Sequence, residues 1–350
     1  MILQQTTFIF LISLIISLSA NGQGRSTHIV IQSGTNLEAD FEQEPENNFL
    51  IIKQSGQDIY GRIIQNTGDS EAELKQEGHK LKTSIRQQSW RSEIYMTQKG
   101  AQNEANIGQG GYGNELEVEQ LGQNGELTLS QGGRYRSAYA IQTYGSVGAK
   151  ARITQNESGT QFSSAYGSLS SYQGPGKGNE VSLNQDGNES SIAASQEGDY
   201  NYSNQDQSGI RIFSFTNQVG NNNYLQTDQD GSYHDHRISQ KGNHNELFLG
   251  QSGYGHWLYE ANAAFISQDG NSNYLNINQE DGSLILIDQK GDGNEANVSA
   301  LQTGYWSDYV ESIDLDQKGN FNQADIFQKN DNRIQLHQTG NFNQSTIHQH

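Results

Sequence analysis

Apolar side chains come in pairs two residues apart, and glutamine closes each pair two residues later. Ile94/Met96, Leu116/Val118, Leu127/Leu129, Leu247/Leu249, Leu275/Ile277, Ile313/Leu315 and Ile334/Leu336 all follow this rule. The positions between them, such as Glu115 and Glu117, are largely polar. In a strand, side chains at even offsets share one face, so this pattern predicts a strand of about seven residues with one face half buried and the other in water.

The glutamines set the period. Gln32, Gln43, Gln54, Gln65, Gln76, Gln87, Gln98, Gln109, Gln120, Gln131 and Gln142 are each eleven residues apart. After Gln155 and Gln173 the spacing returns at Gln185, Gln196, Gln207, Gln218, Gln229, Gln240 and Gln251. It continues with small shifts through Gln268, Gln279, Gln289, Gln302, Gln317, Gln328, Gln338 and Gln349. Glycine stands two places after most of these anchors, as at Gly100, Gly242, Gly319 and Gly340. Asparagine stands five places after many, at Asn103, Asn114, Asn201, Asn223, Asn245, Asn273, Asn294, Asn322 and Asn343. Over residues 32–87 the register asparagine is read as lost. Each unit is therefore a strand plus a tight turn in which glycine supplies a positive φ.

An 11-residue repeat can also signal a right-handed coiled coil. A glycine in every unit, with asparagine and β-branched residues, makes a helix too costly. A free meander of hairpins does not explain why every unit carries the same face pattern. Equivalent units are best satisfied when stacked, glutamine over glutamine and asparagine over asparagine. The expected fold is all-β: an amyloid-like β-solenoid of strand–turn–strand coils, about 22 residues each, with two 11-residue arms. At ~4.8 Å per rung, roughly 14 coils make a column about 65 Å tall.

The first residues form a separate unit. Phe8–Leu18 is an apolar run of signal-peptide length, with Ala20-Asn21-Gly22 after it as a cleavage site. Residues 1–22 are read as a signal peptide and residues 23–350 as a single solenoid. The stretches 143–184, 252–267 and 303–316 break register and are expected to form irregular loops.

Composition narrows the function. Hydrophobic residues are 32% of the 350, a thin stock for a conventional core. The formal charge of −19 removes the basic footprint that nucleic acid or an anionic membrane surface requires. With no cysteine there is no disulfide framework, thiolate metal site or cysteine nucleophile. Asp186, Glu197, Asp228 and Asp230 lie within the frame, either as gatekeepers against early stacking or as solvated turn residues. His234/His236 and His348/His350 are spaced to share a strand face, but nothing in the repeat fixes a third ligand, so both pairs are read as surface residues. Trp90, Trp257 and Trp306 with nearby tyrosines are a weak candidate for sugar stacking. No catalytic, cofactor or metal site is expected, and no enzyme activity.

The runs Gln98-Lys-Gly-Ala-Gln-Asn103 to Gln109, Gln240-Lys-Gly-Asn-His-Asn245 to Gln251, Gln317-Lys-Gly-Asn-Phe-Asn322 to Gln328 and Gln338-Thr-Gly-Asn-Phe-Asn343 to Gln349 resemble curlin repeats, the units of curli subunits. The resemblance implies a secreted subunit that self-assembles into extracellular, cell-surface amyloid fibres of a biofilm matrix, mediating adhesion and aggregation. It also implies partners: further copies of itself, a related curli subunit or nucleator, an outer-membrane secretion pore and accessory chaperones. A nucleator for another fibre protein and a monomeric β-solenoid adhesin are the alternatives. The pattern continues to Gln349, so the last rung is expected to present an open edge.

Overall fold

A computed structural model describes residues 14–20, 25–36, 38–43, 48–66, 68–156, 167–254, 262–280, 283–301, 311–328 and 333–348. Among these residues there is no helix, and successive long strands alternate between two sheets. One sheet holds 14 strands and the other 15, the extra one being the antiparallel Leu14–Ala20 laid against Arg25–Ile31. The other pairings are parallel, so 14 two-armed coils stack into a β-solenoid.

Register is set by identity. Glu115–Gln120 lies on Glu93–Gln98 with Leu116 over Ile94, Val118 over Met96 and Gln120 over Gln98. Tyr224–Ser232 pairs with Glu246–Tyr254 with Leu225 over Leu247 and Gln229 over Gln251. A slip of one residue would send every apolar side chain to the water face, and a slip of two would take glutamine off glutamine. Inward positions are buried and outward ones half-buried or exposed along the inner arms, as in Lys82–Trp90, while the last arm, Gln344–His348, has its inward positions half-buried.

The interior is one or two side chains thick. It holds two apolar clusters, one from Leu50 to Ala194 and the other from Leu225 to Ile334. Each buried leucine or isoleucine contributes about 1.5–3 kcal/mol. Between the clusters the inward positions are polar: Ser203, Gln205, Ser214 and Thr216 are all buried.

Within the stretch 143–184, expected to loop out, much of the chain joins the ladder. Lys150–Asn156 and Gly167–Gln173 pair in register with neighbouring coils, and Ser146–Val147 forms a small parallel sheet with Gly176–Lys177. In the other two stretches, 252–267 and 303–316, residues 252–254, 262–267 and 311–316 also lie in ladder strands rather than loops; residues 157–166, 255–261 and 302–310 lie outside the described residues. The expected anchor Gln302 is among them, and Ala300 holds the rung between Gln279 and Gln328 instead. Of residues 1–22, only Leu14–Ala20 is described.

Candidate functional site: stacked amide and glycine columns

The turn after each arm is built by three residues with distinct duties. In the turn following Gln196, Gly198 has φ +102 and Tyr200, two residues on, has φ 57. Left-handed backbone costs a non-glycine residue about 1–2 kcal/mol, and the adjacent Asn201 offsets that cost. Its Nδ2 donates to Glu197 O at 3.1 Å and Gly220 O at 2.8 Å. Its Oδ1 accepts from the backbone N–H of Asn223 at 3.1 Å and from Asn223 Nδ2 at 3.1 Å. The side chain thus closes its own turn and holds the next.

Glycine is demanded by proximity as well as by φ. A Cβ on Gly198, Gly220 or Gly242 would lie about 2 Å from the carbonyl oxygen of the glycine one coil on. Gly100 and Gly319 are placed in the same way, and Gly340 ends the column at φ +110.

Glutamine ties the sheets together. Gln218 Nε2 donates to Gln240 Oε1 at 2.8 Å and to Tyr202 O at 3.0 Å. The first bond runs along the column and the second crosses to the facing sheet. Gln240 repeats this with Gln268 Oε1 at 2.9 Å and Tyr224 O at 3.0 Å. The column goes on through Gln289, Gln317 and Gln338, linked at 2.9, 2.8 and 2.8 Å. Gln98, Gln120 and Gln142 are linked further up the same sheet, and Gln196 donates to Gln218. In the facing sheet Gln109, Gln131 and Gln155 form one run, and Gln251 donates to Gln279. The amide direction reverses once: Gln76 donates back to Gln54, whereas Gln98 donates forward. Thr83 Oγ1 bridges the two facing carbonyls, 2.9 Å from Gln98 Oε1 and 3.5 Å from Gln76 Oε1.

The two bends of the coil are unequal. On one, Asn179, Asn201, Asn223, Asn245, Asn273, Asn294, Asn322 and Asn343 form an unbroken column. Asn103 lies above on that bend and bonds the backbone of Gly125. The other bend is mixed. Asn114 sits between Ser92, whose hydroxyl accepts its N–H, and Arg136, whose N–H it accepts. Ser190 serves Ile212 in the same way. These serines do the work of asparagine with a shorter side chain, which a search for asparagine alone overlooks. Asn48 corrects the reading of residues 32–87: it lies five places after Gln43 and accepts from Ser70 N at 3.1 Å. Gln349 lies outside the described residues.

His234 and His236 are not surface residues. Both are buried, His234 at the asparagine position of the mixed bend and His236 at an inward strand position. His236 is four residues before Gln240, a core offset in the repeat, so its place was legible. Burial pushes its imidazole down to about 3, with Gln251 opposing and His234 adding to the shift. Its contact with the Ser214 hydroxyl is enclosed in the core, where no substrate reaches it. His348 is exposed, and His350 lies outside the described residues. Trp90 is half exposed; Trp257 and Trp306 lie outside the described residues.

The outer faces carry stacked charges and rings. Glu71, Glu93 and Glu115 lie in register on successive coils. Tyr95 donates to Glu93 Oε2 at 3.2 Å. Burial first, then the Glu71 and Glu93 carboxylates, push its hydroxyl up to about 12. Burial and the neighbouring Asp206 and Asp230 raise the carboxyl of Asp228. Tyr202, Tyr224, Phe248 and Tyr274 form a ring stack with centroids 4.9, 5.3 and 6.1 Å apart. Ion pairs such as Lys99–Glu77 at 2.7 Å are exposed and contribute little. Among the described residues no group of three or more His, Asp or Glu could hold a metal ion, and no helix is long and apolar enough to cross a membrane.

These columns give the chain a surface that repeats from coil to coil. Residues 220–253 match the family model of the curlin associated repeat. No curated protein matches the chain.

Proposed function

From the curlin associated repeat at residues 220–253 we infer that this chain is a structural subunit of a curli-like extracellular amyloid fibre. One observation carries the reading: most coils place glutamine, asparagine and glycine where their neighbours do, so the lower face of one coil fits the upper face of another. A second copy of the chain is the natural occupant of such a face. Arg333–Thr339 and Gln344–His348 end the two sheets, each paired on one side among the described residues. Each rung added there forms backbone bonds and stacked amides of about 1 kcal/mol net apiece, and their sum makes growth strongly favourable.

Residues 1–22 act as the leader that directs export, and residues 23–350 form the fibre-forming unit. Export runs through an outer-membrane pore with accessory chaperones, and the fibre serves adhesion in a biofilm matrix. The role is mechanical rather than catalytic.

The test uses the chain from Gln23 onward. Purified at neutral pH, it forms dye-positive fibres with a meridional reflection at ~4.7 Å. A chain that stays monomeric for days at high concentration overturns the reading. A chain that seeds a related fibre protein substoichiometrically while polymerising poorly itself is a nucleator.

A further inference from the structure

The interior contains one section that the repeat does not account for. Ser203, Gln205, Ser214 and Thr216 fill the inward core positions between the two apolar clusters, and Thr227 and His236 continue the polar run beside Leu225 and Ile238 of the second; all six polar residues are buried. Elsewhere these positions are apolar, as at Leu183, Ile192, Leu249 and Ile266, apart from single polar residues such as Thr83 and Ser171.

The polar groups form one directed chain. Gln205 Nε2 donates to Thr216 Oγ1 at 2.6 Å and Ser203 Oγ at 3.2 Å. The Ser214 hydroxyl donates to Gln205 Oε1 and touches His236 Nε2. Because the serine proton is spent on Gln205, the imidazole donates from Nε2 and is the neutral tautomer. Its Nδ1 has no hydrogen-bond partner among the described residues, nor does the Thr227 hydroxyl.

No counter-charge is available. The strand above presents Ser214 to His236 and the strand below Ala264; the facing strands present Ser203, Gln205, Leu225, Thr227, Gln229, Leu247, Leu249 and Gln251. His234 is the one titratable group on the same inward face, and it disfavours a second positive charge. Asp235, Arg237 and Lys241 on its own strand point outward, as do Asp206, Asp228, Asp230, Glu246 and Asp269 on its neighbours. A proton on Nδ1 would create a buried cation with no counter-charge, and the neutral Gln251 amide opposes that cost only in part, so the section accepts the proton by opening.

We propose that residues 202–241 are a proton-operated joint, closed when His236 is neutral and opened by its protonation, leaving the apolar stacks on either side folded. The imidazole is held far below the 6.5 of an exposed histidine, near 3. Between those limits the opened state binds the proton and the closed state does not. Closure is therefore complete above pH ~6.5 and weakens about tenfold per pH unit below it.

The test is hydrogen exchange with mass spectrometry on the unassembled chain from pH 7.5 to 4, expressed as protection factors. Peptides within 202–241 lose protection about tenfold per pH unit below ~6, while peptides within 94–131 and 275–328 hold theirs. His236→Leu keeps the joint protected at acid pH; His234→Asn, which puts at that bend the residue found there at Asn114, behaves like the parent chain. A parent chain whose 202–241 peptides hold at pH 4, or lose protection only in step with the rest of the column, overturns the proposal whether or not His236→Leu folds. So does a folded His236→Leu chain that still opens in acid. The readout is independent of fibre formation, so failure of the fibre reading leaves it intact.

Discussion

Gly242→Ala tests the stacking geometry most directly. Gly242 has φ +115, a backbone that side-chain-bearing residues rarely adopt, and the added methyl would lie 1.9 Å from Gly270 O and 2.7 Å from Gly270 C. Strained φ alone costs about 1–3 kcal/mol. Relieving the clash needs roughly a further 1.5 Å of separation, since ordinary van der Waals contact begins at 3.4 Å. The bonds between these two coils at the turn are Gly270 N to Lys241 O and Asn245 Nδ2 to Gly270 O, both 2.9 Å. Losing both adds about 2 kcal/mol. The expected penalty is about 3–5 kcal/mol, or roughly two to four decades in local opening.

Gly250→Ala is the control. Its Cβ meets nothing closer than Asn278 Oδ1 at 3.4 Å, and no positive φ is involved. Replacing a strand glycine there is neutral or slightly stabilising. Site-resolved hydrogen exchange over residues 238–275 reads both variants, because a stacked column need not unfold in one step. If the two alanines shift protection equally, close approach is not what places glycine at this position.

Three further outcomes follow from the columns. Gln240→Ala removes the acceptor of Gln218 and the donor to Gln268; with both partners buried, opening of that coil becomes easier by about 2–4 kcal/mol, read by the same exchange experiment. Tyr95 ionises near 12 rather than 10 in an ultraviolet titration, and since its folded value is raised, the stability it contributes is present below pH 10 and lost as pH rises from 10 to 12. Glu77→Gln, which breaks the exposed pair with Lys99, leaves the denaturation midpoint unchanged; a clear drop would show that surface charge holds the column together.

Much of this architecture is legible because the chain repeats itself. Parity of the apolar pairs with glutamine gives the buried face, and the glycine two residues on gives the turn. What the repeat hides is substitution within a column. Ser92 and Ser190 replace asparagine because a hydroxyl can accept the same N–H. Ala300 takes a glutamine rung because the strand holds register with both neighbours through its other residues. Lys150–Asn156 and Gly167–Gln173 looked irregular because an insertion separates them, yet Gln155 and Gln173 still meet Gln185 and Gln142. His236 was mistaken for a surface residue because its type was weighed ahead of its offset from Gln240. In a solenoid the offset decides.

The inequality of the two bends limits how such a chain can change in length. Excising two consecutive arms returns each side chain to its former column, one layer shorter. Excising a single arm swaps the bends, bringing Arg136, Ile212 or His234 onto the side where Asn179 to Asn343 now stand in file. Natural relatives should therefore differ by whole turns of the spiral, and single-arm deletions should be absent from any that still fold.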